Sequence, residues 1–236
     1  MAVAAAEKPQ LSVIIPALDE AAAITATLQA LQPLRKRGHE VIVVDGGSHD
    51  LTVDLSRPLA DRVIPAGAGR ANQMRAGAAV AAGSVLWFLH ADTIPPPQAD
   101  ALILAALQQS GTGWGRFDVG FPQGRLLLHC VAWMMNQRSR LSGIVTGDQG
   151  LFVTRRHYDS VGGFPEIPLM EDIALSRALR RNGRPASIHQ PVITSPRRWL
   201  THGVLRTILR MWALRLAYFL GVSPQRLATY YAAHRS

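Results

Sequence analysis

The chain has 236 residues, 48% of them hydrophobic, a formal net charge of +9 and a single cysteine. That length suits one α/β domain, or one domain with a short appendage, and the apolar content is enough for a core. Cys130 alone excludes an internal disulfide and a thiolate zinc cluster. No uncharged apolar run is long enough to span a bilayer, and Met1–Glu7 lacks the basic start and apolar core of a signal peptide.

In chain order, Leu11–Ile15 reads as a first strand ending at Pro16, and Glu20–Leu34 as a helix with Ile24, Leu28 and Leu31 on one face. Val41–Val44 is a second strand, Asp50–Ala60 a helix, Arg62–Ile64 a short third strand and Arg70–Ala82 an alanine-rich helix. Val85–Leu89, bounded by Gly83 and Pro95-Pro96-Pro97, reads as a strand buried on both faces. Strand, helix and strand at this spacing predict right-handed βαβ units and a mainly parallel sheet. Gly111–Gly124 suits a strand pair or a loop over a site, and Leu126–Arg138 a helix. Gly147–Thr154 holds a short strand, Asp159–Pro168 is a loop and Glu171–Asn182 a helix. The tail, Gly203–Leu220, is an amphipathic helix. The organisation expected is one domain over 1–236, with a core at 11–200 and a basic helical extension at 201–236.

Four acidic positions fall where strands or loops should end: Asp19-Glu20, Asp45, Asp92 and Glu171-Asp172. Acids at successive carboxyl ends of parallel strands line one crevice. His90 and Asp92 stand at alternate positions past a strand, so on an extended backbone they share a target. Each acid has a plainer use as well. Asp19 suits a helix cap, Asp45 an Asx-turn with Gly46-Gly47, and Glu171 or Asp172 a helix N-terminus.

These residues, with their surroundings, resemble a known family. Ser12 to Glu20, Val43-Val44-Asp45-Gly46-Gly47-Ser48, His90-Ala91-Asp92, Gly147-Asp148-Gln149-Gly150, Val161-Gly162-Gly163-Phe164 and Glu171-Asp172 follow in the order seen in inverting family 2 glycosyltransferases. The resemblance runs from about residue 11 to 200. Gly69–Met74, Leu89–Thr93 and Gly115-Arg116-Phe117 are similar to a narrower subgroup, labelled arsenosugar-biosynthesis or radical-SAM/selenodomain-associated transferases. The resemblance implies the GT-A fold and a nucleotide-sugar donor, UDP being the commonest in the family. It implies a pocket of Pro16, Ala17, Glu20, Asp45, Gly46, Arg70, Gln73, His90, Ala91, Asp92 and Arg198. It also implies Asp172 as general base, with Glu171 the alternative. The acceptor side would comprise Trp114, Gly147, Asp148, Gln149 and Trp199. Asp92, with His90, would hold a divalent cation, Mn or Mg, against the diphosphate.

Two departures stand out. Asp45-Gly46-Gly47-Ser48 lacks the second aspartate of the family's Asp-Asp-Gly-Ser, and His90-Ala91-Asp92 replaces Asp-x-Asp, which suits Mn better than Mg. Arg197-Arg198-Trp199 resembles the tail of an arginine-tryptophan motif, with His202 a further candidate metal ligand. The rival readings are a nucleotidyltransferase of similar fold, which the missing glycine-rich basic start disfavours, and a non-catalytic nucleotide-sugar-binding protein.

After Asp172 no Asp or Glu remains, while arginines run from Arg177 to Arg235. Such a block attracts polyanions, and without a nucleic-acid motif the candidates are the donor diphosphate and an anionic membrane surface. The tail helix has three uses: packing on the core, lying in a membrane interface, or pairing two copies as a homodimer. The expected location is the cytoplasm, with peripheral attachment to the inner face of the plasma membrane as the variant.

Overall fold

A computed structural model describes residues 10–122 and 126–233, without the side chains of Arg198, His202 and Ala233. The expectations for Met1–Glu7, Gly124, His202 and the Arg198 side chain therefore lie outside the described residues.

Eight strands form one sheet: β1 Leu11–Ala17, β2 Glu40–Asp45, β3 Arg62–Pro65, β4 Val85–Phe88, β5 Thr93–Ile94, β6 Trp114–Gly120, β7 Phe152–Thr154 and β8 Ala186–Thr194. Their order is β3-β2-β1-β4-β7-β6-β8-β5. The first four pair in parallel, as does β6 with β8, while β7 runs antiparallel to both its neighbours and β5 antiparallel to β8. Eleven helices accompany the sheet among the described residues. They are α1 Ile24–Ala30, α2 Gln32–Lys36, α3 Thr52–Ser56, α4 Arg70–Val80, α5 Ala99–Ser110, α6 Leu126–Ser142, α7 Arg155–Ser160, α8 Glu171–Leu179, α9 Arg197–His202, α10 Val204–Phe219 and α11 Pro224–Ala233.

The strands β1, β2 and β4 are apolar at nearly every position because both faces are covered, whereas β3 is a partly exposed edge strand. Val13, Ile15, Val41, Val43 and Trp87 pack with Leu28 and Ile103, on the side of α1, α2 and α5. Ile14, Ile42, Val44 and Phe88 pack with Met74, Ala78, Leu175 and Leu179, on the side of α4 and α8. Helix α4 lies so close that a Cβ at Gly77 would stand 2.4 Å from Ile14 Cγ2.

Several expected elements change. The helix expected from Glu20 begins at Ile24 and breaks at Leu31, since Pro33 has no N–H to continue it. Helix α3 is shorter than Asp50–Ala60, and Pro58 follows its end. Gly111–Gly120 holds a single strand, and α7 overlaps the start of the expected loop. Strand β4 ends at Phe88, so His90–Asp92 lie in a turn closed by Thr93 N–H to His90 O (3.2 Å), not on extended backbone. The alternation that was to aim His90 and Asp92 together therefore does not apply.

The topology decides where a ligand can sit. From β1 the chain moves to β2 and β3, then crosses back through α4 to place β4 on the other side of β1. Connections leave β1 and β4 in opposite directions, which opens a crevice at their carboxyl ends.

Candidate active site

Pro16, Arg70, His90, Gly147, Glu171 and Asp172 line a crevice at that switch point, with Met74, Phe88 and Phe164 as its apolar floor. Three different segments meet there. Arg70 opens α4, Gly147 opens a 3₁₀ turn, and Glu171-Asp172 open α8.

Strands β1 and β2 end in register, Ala17 opposite Asp45. The Asp45 carboxylate accepts from Gly47 N–H (3.0 Å) and Ser48 N–H (3.2 Å), the Asx-turn that its sequence also suited. Gln73 is 5% exposed, and its Nε2 donates to the carbonyls of Ala17 (2.7 Å) and Val44 (2.9 Å), stitching the two strand ends. A Cβ at Gly46 would stand 2.8 Å from that nitrogen. The missing second aspartate and Gln73 are thus one feature: the amide occupies the space that a side chain at 46 would need.

Asp19 does not cap a helix. Its carboxylate accepts from His49 N–H (2.8 Å) while its own backbone is left-handed (φ +54°). Glu20 pairs with Arg197 of α9 (2.8 Å), and Ser195 N–H donates to Asp92 O (3.1 Å). Glu20 above all, and Asp92 more weakly, raise the Arg197 guanidinium further above its ordinary pKa.

His90 Nδ1 lies 3.3 Å from Asp148 Oδ1, and its Nε2 is buried with no hydrogen-bond partner. A Cβ on residue 147 would stand 2.4 Å from Nε2 and 3.3 Å from Arg70 Nη1, so only glycine leaves that spot open. Among the described residues no three His, Cys, Asp or Glu side chains converge as a metal cage. A carboxylate such as Asp92, with substrate phosphates completing the shell, has the donor chemistry of a Mg- or Mn-type site.

Asp172 Oδ2 accepts from Gly147 N–H (2.9 Å) and Oδ1 from Ile173 N–H (2.7 Å). Its neighbour Glu171 is 6% exposed. Burial, then the Asp172 charge, pushes the Glu171 carboxyl up to about 7, against the pull of Arg70. Met170, just before them, is held at φ +70°, a strained conformation for a long side chain and one that clusters at functional sites.

Other expected acceptor residues are placed elsewhere. Trp114 is fully buried, with its indole N–H on Gly183 O (3.1 Å), so it offers an acceptor no surface. Gln149 is also fully buried, and its Oε1 caps the turn at Thr146 N–H (3.3 Å). Trp199 packs edge-on against Phe121, 6.0 Å between centroids. Arg116, from the Gly115-Arg116-Phe117 motif, is buried in a network with Asp118 and Arg140.

One residue with no distinguishing mark in the sequence comes forward. Arg138 of α6 donates to Thr146 Oγ1 (3.2 Å). Burial first, and Arg215 second, lower its pKa to about 10, while Asp172 and Asp148 oppose them. Its partner Thr146 directly precedes Gly147, which lines the crevice.

Residues 12–159 match the family described as Glycosyl transferase family 2. The chain belongs to that family. The nucleotidyltransferase alternative is thereby set aside. Probable glycosyltransferase YdaM of Bacillus subtilis (strain 168) is 29% identical over 194 residues, 72% of this chain and 46% of that protein. The chain thus spans about half the length of that curated relative. Among solved structures, S. aureus TarS 1–349 in complex with UDP-GlcNAc is similar at a TM-score of 0.63 and 19% identity, covering 79% of this chain and 58% of that one. Glucosyl-3-phosphoglycerate synthase from Mycobacterium tuberculosis, with Mn2+, UDP and glucosyl-3-phosphoglycerate, gives 0.59 and 21%, covering 80% and 72%. At these identities the structures show the shared fold, which is GT-A, as the motifs implied.

Proposed function

We propose that this family 2 domain is an inverting glycosyltransferase that moves a sugar from a nucleotide-diphosphate donor, UDP-linked, to an acceptor hydroxyl. The observation that carries the reading is Asp172, its carboxylate oriented by Gly147 N–H at 2.9 Å in a crevice shared with Arg70 and His90. The UDP assignment draws its support from similar chains solved with UDP and UDP-sugars.

In this reading the nucleoside lies along Pro16, Ala17, Glu20, Asp45 and Gly46, and the diphosphate faces Arg70, His90 and Asp92. Arg70 beside His90 Nε2 favours a phosphate oxygen at that spot over a cation, which leaves Asp92 as the protein's metal ligand. A divalent cation held by Asp92 and donor phosphates would neutralise charge on the leaving group. Asp172 takes the acceptor's proton while the acceptor oxygen attacks the anomeric carbon from the face opposite the diphosphate. The bond from that carbon to the diphosphate breaks, and its electron pair leaves on phosphate oxygen. Glu171, whose carboxyl is pushed up to about 7 by burial and by the Asp172 charge, is the alternative base.

Asp172→Asn should lower turnover by at least about 100-fold while donor binding stays nearly intact. Near-normal turnover would refute the assignment. A thermal-shift screen of nucleotide sugars, with and without Mn or Mg, identifies the donor.

A further inference from the structure

Helix α10 is apolar on two opposite faces. One face buries Thr207 and Leu214 against the protein, with Met211 and Tyr218 alongside. The other carries Leu205, Leu209, Trp212, Leu216 and Phe219, every one more than half exposed. At 3.6 residues per turn these five fall within an arc of about 80°, opposite Leu214. Arg206 is exposed at the flank of that arc.

Helix α6 repeats the pattern. Its Leu128, Val131 and Ala132 share a buried cluster with Val204 and Ile208 of α10, while Leu126, Trp133 and Leu141 are turned to solvent. Each helix therefore exposes one tryptophan at 62% of its surface amid leucines. Scattered exposed leucines need no explanation, but two adjacent helices that each expose an apolar face do.

The charge says what covers them. Neither α6 nor any position after Asp172 has an Asp or Glu, and Arg177, Arg206 and Arg226 are exposed. A second copy laid face to face would oppose two acid-free basic surfaces. An anionic bilayer complements both the charge and the apolar faces, with tryptophan and arginine at the level of the headgroups. A span is excluded for α10: its 16 residues reach about 24 Å, short of a hydrocarbon core of about 30 Å. Among the described residues no helix is long and apolar enough to cross.

We propose that the outer faces of α6 and α10 dock this protein on an anionic membrane, with α10 lying in the interface plane. Arg138 of α6 feels the charges of Arg215 on α10 and of Asp172 and Asp148, so the inner sides of both docking helices adjoin the crevice.

The test is co-sedimentation of the full chain with phosphatidylcholine vesicles, with and without about 30% phosphatidylglycerol. Partition onto the anionic vesicles should be at least about tenfold stronger and should fall as salt is raised. Leu209→Ser, Trp212→Ser and Leu216→Ser together should lower it by about tenfold or more. All three side chains are exposed, so circular dichroism and melting temperature should not change. Brominated acyl chains should quench wild-type tryptophan fluorescence more than that of Trp212→Phe. Equal partition of the triple variant, or no partition of the wild type, would overturn the proposal. So would a soluble dimer in ultracentrifugation that the triple substitution dissolves, because a second copy would then be the occupant. No arm depends on the donor or on turnover, so failure here is separate from failure of the transferase reading.

Discussion

Replacing Glu171 by glutamine isolates what the fold loses by burying a charge beside Asp172. Raising the carboxyl from its ordinary 4.5 to about 7 corresponds to about 3 kcal/mol against the ionised form, at about 1.4 kcal/mol per pH unit. Between those two values the folded chain holds a proton that the unfolded chain has released. Wild-type stability should therefore rise as pH falls through about 7 and stop gaining below about 4.5. Glutamine keeps the shape and cannot ionise, so the variant should lack this component of the slope. It should exceed the wild type by up to about 3 kcal/mol at pH 8 to 9, and the two should converge near pH 4 to 5. Urea unfolding of both proteins across that range measures the difference directly. A variant with the same pH slope as the wild type, or one less stable at pH 8, would refute the buried-charge account. The same variant should keep turnover within about tenfold at pH 8, since Asp172 is untouched.

Two further substitutions probe the crevice. Gly147→Ala would place a Cβ 2.4 Å from His90 Nε2 and 3.3 Å from Arg70 Nη1, and should weaken UDP affinity by about tenfold or more in calorimetry. Unchanged affinity would mean that His90 and Arg70 do not face the diphosphate. Gly46→Asp alone should destabilise strongly, because the new side chain meets the Gln73 amide. Combining it with Gln73→Ala should recover part of that loss, a coupling of about 1 kcal/mol or more in a double-mutant cycle. Strict additivity would show that the two positions do not compete for one space.

The order of apolar strands along the chain was enough to determine the front half of the sheet, and the resemblance of its motifs pointed to the family; of the four acidic positions, Glu171-Asp172 line the crevice. A strand covered on both faces has to be apolar throughout, and a ligand-binding strand end has to be polar. Both requirements are local and leave a local mark, as at Val41–Val44 before Asp45 and at Val85–Leu89 before His90. The later elements carried no such mark. Strand β8 contains His189, Gln190 and Pro191 where β6 shifts register, so its alternation is broken. Helix α5 spends a buried position on Asp100, which Arg37 from a distant segment neutralises at 2.6 Å.

The roles of single side chains were decided only in three dimensions. Trp114 and Gln149 have residue types suited to sugar contact, yet packing sends both inward. Gln73 looks like a nucleotide ligand until the carbonyls of Ala17 and Val44 claim its amide. Arg138 meets Thr146 because α6 crosses behind it, and Arg197 meets Glu20 because α9 returns to it. Residue type and spacing describe what a side chain is able to do. Which partner it meets depends on contacts between segments as far apart as Glu20 and Arg197, and the tertiary structure alone supplies those.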